Sequence, residues 1–415
     1  MRVLIVKTSS MGDVLHTLPA LTDAANCIPD ITFDWVVEEN FCQIPSWHFA
    51  VNDVIPVAIR RWRKNWLAKN IRQERHQFIE HLQRQQYDCI IDAQGLIKSA
   101  FLITRKAKGI KHGLDRQSIK EPIASWFYDV KHHVPKQMHA IERVRMLFAK
   151  SLSYSQPDSI GDYAIADHFL TSLPPDNQKY LIFLHATTRD EKHWTESAWR
   201  NLIELIEPTG LKVKLPWGAS HEQERALRLA QGFKHVEVLP KLSLNEIATV
   251  IAGAKAVVSV DTGLSHLTAA LDRPNITLFG NTDPKLIGGY GKNQHSIISA
   301  DKMMLGRAIS NILSNAIRYT PTNKTIKISL SQVNQKRIQI IIANPGKKIE
   351  SRHLPHLFDR FYRVDESRHR NGKDSSGTGI GLAIVKSIID THKGHIHVES
   401  DDLSTRFIIK LPTVI

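Results

Sequence analysis

The chain has 415 residues, 42% of them hydrophobic and 23% charged, which suits a globular protein of two or three domains and excludes a disordered or fibrous chain. Its formal charge of +14 favours an anionic partner, but no zinc-finger or RNP-type motif accompanies it, so nucleic acid is not an expected partner. Cys27, Cys42 and Cys89 show neither metal-ligand spacing nor an even count and read as reduced, buried thiols; no apolar run reaches the ~18 residues of a membrane span, and the N-terminal VLIV is too short for a signal-peptide core, so a cytoplasmic protein is expected.

Residues 3–6 form a short apolar strand. A Ser/Gly loop follows, with Ser9, Ser10, Gly12 and Asp13, and then a helical pattern interrupted at Pro19, which must kink that helix or sit where an N–H is not needed. Strands are expected at 34–37 and 87–92. Their alternation with helical patterns points to a parallel sheet covered on both faces. The stretch IRRWRKNW gathers Arg60, Arg61, Arg63 and Lys64 around Trp62 and Trp66. Arginine suits phosphate and tryptophan suits a lipid headgroup interface, but a solvated loop would look the same.

Ser/Pro/Asp-rich punctuation over 152–179 marks a domain junction. Beyond it, LIFLH, LKVKL, VEVLP, AVVSV and NITLF are five short apolar strands separated by helical patterns, a second doubly wound unit. One of these helices opens on a capping box, Ser243 with Glu246. From about residue 300 the pattern changes. Ile309, Ile312, Leu313, Ala316 and Ile317 share a helix face. Strands are expected at 325–333, 337–343, 395–400 and 405–411, with a helix from Gly379, giving a smaller α/β domain with a partly antiparallel sheet.

Several strand ends carry polar residues where doubly wound folds bind ligands. Asp13, at the mouth of the first helix, is placed either to cap it or to act as a base. Thr187, Thr188 and Lys192 offer hydroxyls and a cation suited to a diphosphate, or ordinary capping and a solvated lysine. Asp261, Thr262 and Gly263 pass from a strand into a helix that carries His266. Here Asp261 can accept hydrogen bonds from sugar hydroxyls, and His266 can equally be a core histidine. Glu222 opens a helix, a position that its favourable interaction with the helix dipole alone would explain.

On TSSMGDVLHTLPAL, IPVAIRRWRK, IDAQGL, FLHATTRD, KLPWGA, SVDTGLSHLTAALDRPNIT and IGGYGKNQ, residues 1 to about 296 resemble the type I lipopolysaccharide heptosyltransferases, inverting enzymes of glycosyltransferase family 9. The resemblance implies two Rossmann-like domains in the GT-B arrangement, an acceptor-binding domain over 1–155 and an ADP-heptose-binding domain over 156–298. It implies transfer of L-glycero-D-manno-heptose from ADP-heptose to Kdo-lipid A, an inner-core step at the cytoplasmic face of the inner membrane, with no cofactor required. By that resemblance Asp13 is the general base. Thr187, Thr188 and Lys192 hold the diphosphate, Glu222 meets the ribose, and Asp261, Thr262, Gly263 and His266 line the heptose and phosphate pocket. Ser10, Arg60, Arg61, Arg63 and Lys64 face the acceptor. The match is left near Ile297, so the family's own C-terminal segment, expected to run back toward the first domain, is replaced.

The replacement resembles the ATP-binding domain of sensor histidine kinases of the heavy-metal-sensing type. SNILSNAIRYT matches an N box, NPG a first glycine box with Asn344 where most relatives carry Asp, FDRFYR an F box with Phe358 and Phe361, and GTGIG a second glycine box. The resemblance implies a partial α/β-sandwich over 299–415 that takes Mg-ATP through Asn311, Asn315, Arg318, Tyr319, Asn344, Gly346, Gly377, Gly379 and Gly381, with Asn315 as the magnesium ligand. No phosphoacceptor histidine in a kinase-like context precedes it, so autophosphorylation in cis is not expected.

Overall fold

The structure is a computed structural model. It describes residues 1–412 except 171, 172, 174–176, 178, 188–192, 281, 282, 299–301, 335, 336 and 365–378. The chain falls into two compact units, Met1–Ile297 and Ile298–Ile415.

The first lobe of the first unit is built on six strands, β1 (Arg2–Val6), β2 (Thr32–Glu38), β3 (Val51–Val57), β4 (Gln86–Asp92), β5 (Lys108–Leu114) and β6 (Val130–His132), in the order β3-β2-β1-β4-β5-β6. All five pairings are parallel. Val3, Leu4, Ile5 and Val6 are fully buried because helices cover both faces of such a sheet. The helices are α1 (Met11–Leu15), α2 (Leu18–Cys27), α3 (Gln43–Ser46), α4 (Ile59–Trp62), α5 (Lys69–Leu82), α6 (Ile97–Leu102) and α7 (Ala140–Leu152). Pro19 lies in the first turn of α2, where a missing N–H breaks no helical bond, so the predicted kink is a break between two helices.

The second lobe opens with α8 (Ala166–Leu170). It continues through β7 (Tyr180–Leu184), α9 (Glu196–Ile206), β8 (Lys212–Leu215), α10 (Ser220–Ala230), β9 (Val236–Val238), α11 (Leu244–Ala252), β10 (Ala256–Val260), α12 (Gly263–Ala270), β11 (Asn275–Phe279), α13 (Pro284–Ile287) and β12 (Gln294–Ile298), with strand order β12-β11-β10-β7-β8-β9. The expected capping box closes α11: Ser243 N donates to Glu246 Oε2 at 2.7 Å, and Glu246 N donates to Ser243 Oγ at 3.3 Å.

The two lobes share one core. A single buried cluster runs from Val3, Ile5 and Trp35 to Ile182, Ile251 and Leu267. A second tie comes from Tyr290, after α13. Its hydroxyl donates to Glu142 of α7 and accepts from Arg145 at 3.3 Å and from Gly161 N at 2.9 Å. The GGYG stretch therefore anchors to the first lobe from within the first unit.

The thiols depart from expectation. Cys89 is buried, but Cys42 is only half-buried and Cys27 is exposed, because Cys27 ends α2 on its solvent side.

The second unit carries α14 (Lys302–Tyr319), β13 (Lys327–Asn334), β14 (Arg337–Asn344), α15 (Gly381–Thr391), β15 (His395–Ser400) and β16 (Thr405–Pro412). Its strands run β13-β14-β16-β15, and every pairing is antiparallel, so the described sheet is wholly rather than partly antiparallel. Ala308, Ile312 and Ala316 of α14 meet Val385 and Ile389 of α15 over Ile342, Phe407 and Ile409, with Ile309 and Leu313 partly buried beside them; Ile317, expected on the same face, is 68% exposed, because the buried stripe is narrower than the one read from the spacing.

Candidate functional site

The loop after β1 is held from beneath. Gln94, just past β4, accepts at Oε1 from Thr8 N (2.8 Å), Ser9 N (3.0 Å) and Thr8 Oγ1 (3.2 Å). Asp92 is fully buried and accepts from Gly95 N, Ser99 Oγ and Thr104 Oγ1. Burial pushes its carboxyl upward from the usual range, against those donors. This network fixes the turn that delivers Ser10 and Asp13.

Of the two roles open to Asp13 in the sequence, the capping one is seen directly. Its Oδ2 accepts from Ser10 N (2.8 Å) and Ser10 Oγ (3.1 Å), which ties the first turn of α1. Its Oδ1 faces the ammonium of Lys7 at 3.7 Å, and the side chain stays 48% exposed, so it can still meet a ligand. Lys7 itself is buried and donates to Ala93 O at 3.0 Å.

Across from this loop, the second lobe presents the start of α12. Thr262 is its N-cap and Gly263 its first residue; Asp261, at the end of β10, is buried. Thr187, after β7, is buried and donates from Oγ1 to Asp261 O at 3.1 Å. His193 Nε2 lies 2.9 Å from Thr187 O. Thr188 and Lys192 lie outside the described residues. Glu222 reaches back from the first turn of α10 to accept from Gly218 N (2.7 Å) and Ala219 N (3.0 Å), so its local role is that of a cap.

The helices α1 and α12 meet directly. His16 Nε2 is 3.1 Å from His266 Nδ1 and the rings pack edge to face. His139 lies beside His16, and its Nε2 is 3.2 Å from Gly288 O. Burial first, then His266, His139 and Lys7, holds the His16 imidazole well below its usual range, so it is neutral. Glycine makes the approach possible: a Cβ on Gly12 would stand 2.8 Å from His266 Cδ2, and one on Gly263 would stand 2.9 Å from Met11 Sδ. The sequence reading missed Lys7, His16, Gln94, His139 and Tyr290. Their roles depend on contacts between distant segments, and nothing in their local spacing signals them.

The basic segment divides. Arg61 is taken by Glu39 (3.1 and 3.0 Å) and Glu74 (3.0 Å). Trp62 is buried, with Nε1 donating to Glu74 Oε2 at 2.9 Å. Trp66 lies under the Arg75 guanidinium at 3.5 Å. The two tryptophans are therefore packing residues and not a headgroup surface. Arg60, Arg63 and Lys64 are exposed, and the Arg60 guanidinium sits 5.9 Å from the Phe41 ring.

In the second unit, α14 sets Asn311 and Asn315 one turn apart. Asn311 Nδ2 donates to Gly381 O at 3.4 Å, which links the N-box helix to the start of α15. Asn315 is half-buried, Arg318 is exposed, and Tyr319 is also exposed. Asn344, at the end of β14, is buried. Gly346 packs under Tyr319 O, where a Cβ would come within 2.8 Å. Phe361 N donates to Gly379 O at 2.9 Å, so the F box and the second glycine box touch. Gly377 lies outside the described residues.

Residues 75–315 match the model of glycosyltransferase family 9 (heptosyltransferase), and residues 300–415 match that of the histidine kinase-, DNA gyrase B- and HSP90-like ATPases; the two overlap over residues 300–315, most of α14. Lipopolysaccharide heptosyltransferase 1 of Escherichia coli K12 is 69% identical over 294 residues, 71% of this chain and 92% of that one. The Pseudomonas aeruginosa enzyme of the same name is 54% identical, over 71% of this chain and 82% of its own. The solved structure of E. coli heptosyltransferase WaaC with ADP is 64% identical, covers 76% of this chain and 99% of its own, and superposes with a TM-score of 0.72. The E. coli K12 sensor histidine kinase CusS is 56% identical over 115 residues, 28% of this chain but only 23% of the kinase. The C-terminal unit thus corresponds to the ATPase portion of a kinase, and the chain as a whole belongs to glycosyltransferase family 9, the heptosyltransferases.

Proposed function

We propose that this glycosyltransferase moves L-glycero-D-manno-heptose from ADP-heptose to the Kdo of Kdo-lipid A, in lipopolysaccharide core synthesis at the cytoplasmic face of the inner membrane. The observation that carries the reading is the meeting of α1 and α12. It brings α1, with the half-exposed Asp13 carboxylate, against the passage from β10 into α12 that carries Asp261, Thr262, Gly263 and His266. A WaaC structure that is 63% identical holds ADP-2-deoxy-2-fluoro heptose, which supports the donor.

In the proposed reaction, Asp13 takes the proton from a Kdo hydroxyl. The oxygen attacks the anomeric carbon of heptose from the face opposite the diphosphate. The bond between that carbon and the β-phosphate oxygen breaks, ADP leaves with the electron pair, and the anomeric configuration inverts. Thr187, Thr188 and Lys192 would hold the diphosphate as charge builds on it, Glu222 the ribose, and Ser10, Arg60, Arg63 and Lys64 the acidic acceptor. Arg61, fixed by two carboxylates, would shape that surface and not bind a phosphate alone. No cofactor is needed for this displacement. The test is ADP release from ADP-heptose with Kdo-lipid A. Asp13→Ala should lower the rate by about 10²–10⁴-fold; equal rates in variant and parent would remove Asp13 as the base.

A second reading concerns the C-terminal unit. Asn344 is buried beside a glycine loop, and the F box bonds to the second glycine box. Mg-ATP binding there is favoured, with Asn315 holding magnesium, Asn344 accepting from the adenine, and Asn311, Arg318, Tyr319, Gly346, Gly377, Gly379 and Gly381 around the nucleotide. Titration of the full chain with ATP, with and without magnesium, is the check. Heat of binding that needs magnesium and disappears in Asn315→Ala is expected, and no binding at millimolar ATP would remove this reading.

A further inference from the structure

The acceptor proposed above is anchored in a bilayer, so the enzyme needs a surface that lies on lipid while Asp13 reaches a sugar. The segment IRRWRKNW offers little of the apolar part of it, since Trp62 is buried and Trp66 is half-buried with the Arg75 guanidinium over its ring. Another part of the same lobe does.

The helix α6 and a 3-10 helix at Pro122–Phe127 pack together through Ala100, Ala124, Ile119 and Tyr128. Their outer faces carry Ile97 (39% exposed), Phe101 (43%), Ile123 (49%) and Trp126 (72%). The spacing explains why these side chains align. Residues 97 and 101 are one α-turn apart, and residues 123 and 126 eclipse on a 3-10 helix. The Phe101 and Phe127 rings meet edge to face at 5.7 Å, so the two stripes adjoin. Four large apolar side chains side by side on a surface are a binding feature and not the ordinary scatter of exposed residues.

The charge around them selects the partner. Residues 97–136 contain nine Lys or Arg against three Asp or Glu, and all three acids are engaged. Glu121 accepts from Ile97 N at 2.7 Å, Asp115 from Ser118 N at 2.8 Å, and Asp129 from Lys111 N at 2.9 Å. Lys98, Arg105, Arg116 and Lys120 carry no ion pair among the described residues, and Arg105 lies over the Phe101 ring at 5.0 Å. An apolar centre with tryptophan at its rim and cations around it matches an anionic bilayer. The rings enter the headgroup boundary and each nearby cation adds attraction to acidic lipid. Its position also fits. Ile97 follows by three residues the Gln94 that pins the loop bearing Ser10 and Asp13, so a surface docked here sets that loop next to the headgroups.

We infer that the face formed by α6 and the 3-10 helix at Pro122–Phe127 is the membrane-docking surface of this enzyme, specific for anionic phospholipid. The inference rests on the reading of a lipid-anchored acceptor. Co-sedimentation of the full-length protein with vesicles of phosphatidylcholine, with and without phosphatidylglycerol and with no acceptor present, is the test. The parent protein should bind the anionic vesicles, and binding should fall as salt rises. The double variant Ile123→Ser, Trp126→Ser should bind roughly tenfold or more weakly while keeping its denaturation midpoint and its rate on detergent-dispersed acceptor. Lys98→Gln with Lys120→Gln should weaken binding and flatten its salt dependence. A parent that ignores anionic vesicles, or a double variant that binds them as well as the parent, would overturn the inference whatever the transfer assay shows. Lipid binding by this face without any heptose transfer would leave the docking surface standing and count against the proposed reaction alone.

Discussion

His16 and His266 are 250 residues apart in sequence, yet their rings share a 3.1 Å hydrogen bond that joins the C-terminal end of α1 to the first turn of α12. One ring must donate and the other accept, so the pair cannot form when both are protonated. Burial holds His16 and His139 below their usual range and places His48 and His185 at about 4. In the unfolded chain these imidazoles titrate near ~6.5. As pH falls below that value the unfolded state takes up protons that the folded state refuses, so folding stability drops. Stability should be flat above about pH 7 and fall steadily between ~6.5 and ~4. All eight tryptophans lie within residues 1–297, so tryptophan emission reports this unit alone. A urea midpoint that is the same at pH 5 and pH 7.5 would contradict the assignment.

The close approach of α1 to α12 makes Gly12 and Gly263 unequal in a predictable way. A methyl on Gly12 meets an imidazole fixed by its bond to His16, whereas a methyl on Gly263 meets the thioether of Met11, a side chain with several rotatable bonds. Overpacking a fixed contact costs about 1–3 kcal/mol. Gly12→Ala should therefore impair ADP release by roughly tenfold or more, and Gly263→Ala by clearly less. Steady-state rates for the two variants, measured side by side, decide it; a larger loss in Gly263→Ala would mean that Met11 is the rigid partner.

The contrast between local and distant signals also explains what the sequence could convey. Strands Ala256–Val260, Asn275–Phe279 and His395–Ser400 lie where their apolar patterns place them, because both faces or one whole face is buried. The strand Val51–Val57 escaped notice: it is a sheet edge, and its Pro56 is tolerated only there. The strand Lys108–Leu114 is broken up in sequence by Gly109 and Gly113, and a Cβ on the latter would stand 2.3 Å from the Tyr128 ring. Asp13 was visible as a candidate, but not that it serves Ser10 and faces Lys7 together. The carboxylate partners of Arg61, Glu39 and Glu74, are 22 and 13 positions away, so its ion pairs could not be read from its neighbours in the chain. The docking face was invisible because two helices of six residues each are too short for a period to emerge.

Arg145 gives a stability prediction of known sign. Its guanidinium is buried, 2.6 Å from Asp23 and 2.9 Å from Glu142, and it also donates to Pro157 O at 3.1 Å. Removing one partner of a buried pair typically costs about 3–5 kcal/mol, because the other charge is left in a medium that cannot solvate it. Arg145→Met should lower the urea midpoint of tryptophan emission accordingly. Asp23 is then the stranded charge, so Arg145→Met with Asp23→Leu should recover much of the loss. A double variant no more stable than the single would show that the Tyr290 and Pro157 contacts, and not the ion pair, matter most.

The C-terminal unit contains two glycines whose replacement should act in opposite directions. Gly306 lies within α14, and a Cβ there meets nothing within 4 Å. Alanine at such a site loses less backbone entropy on folding and should stabilise the helix by about 0.5–1 kcal/mol. Gly379 has φ +66°, and a Cβ there would stand 2.8 Å from the carbonyl carbon of Phe361. Alanine must then adopt a left-handed conformation against fixed backbone, which costs roughly 1–2 kcal/mol before the contact is counted. The bond from Phe361 N to Gly379 O would be strained, and the F box would shift away from the glycine loop. Hydrogen exchange in peptides from α14 should slow in Gly306→Ala and leave magnesium-dependent ATP binding intact. In Gly379→Ala, ATP binding should weaken by about tenfold or more while exchange in α14 changes little. If Gly379→Ala binds ATP as the parent does, the two boxes do not form a nucleotide site together, and the bond between them serves folding alone.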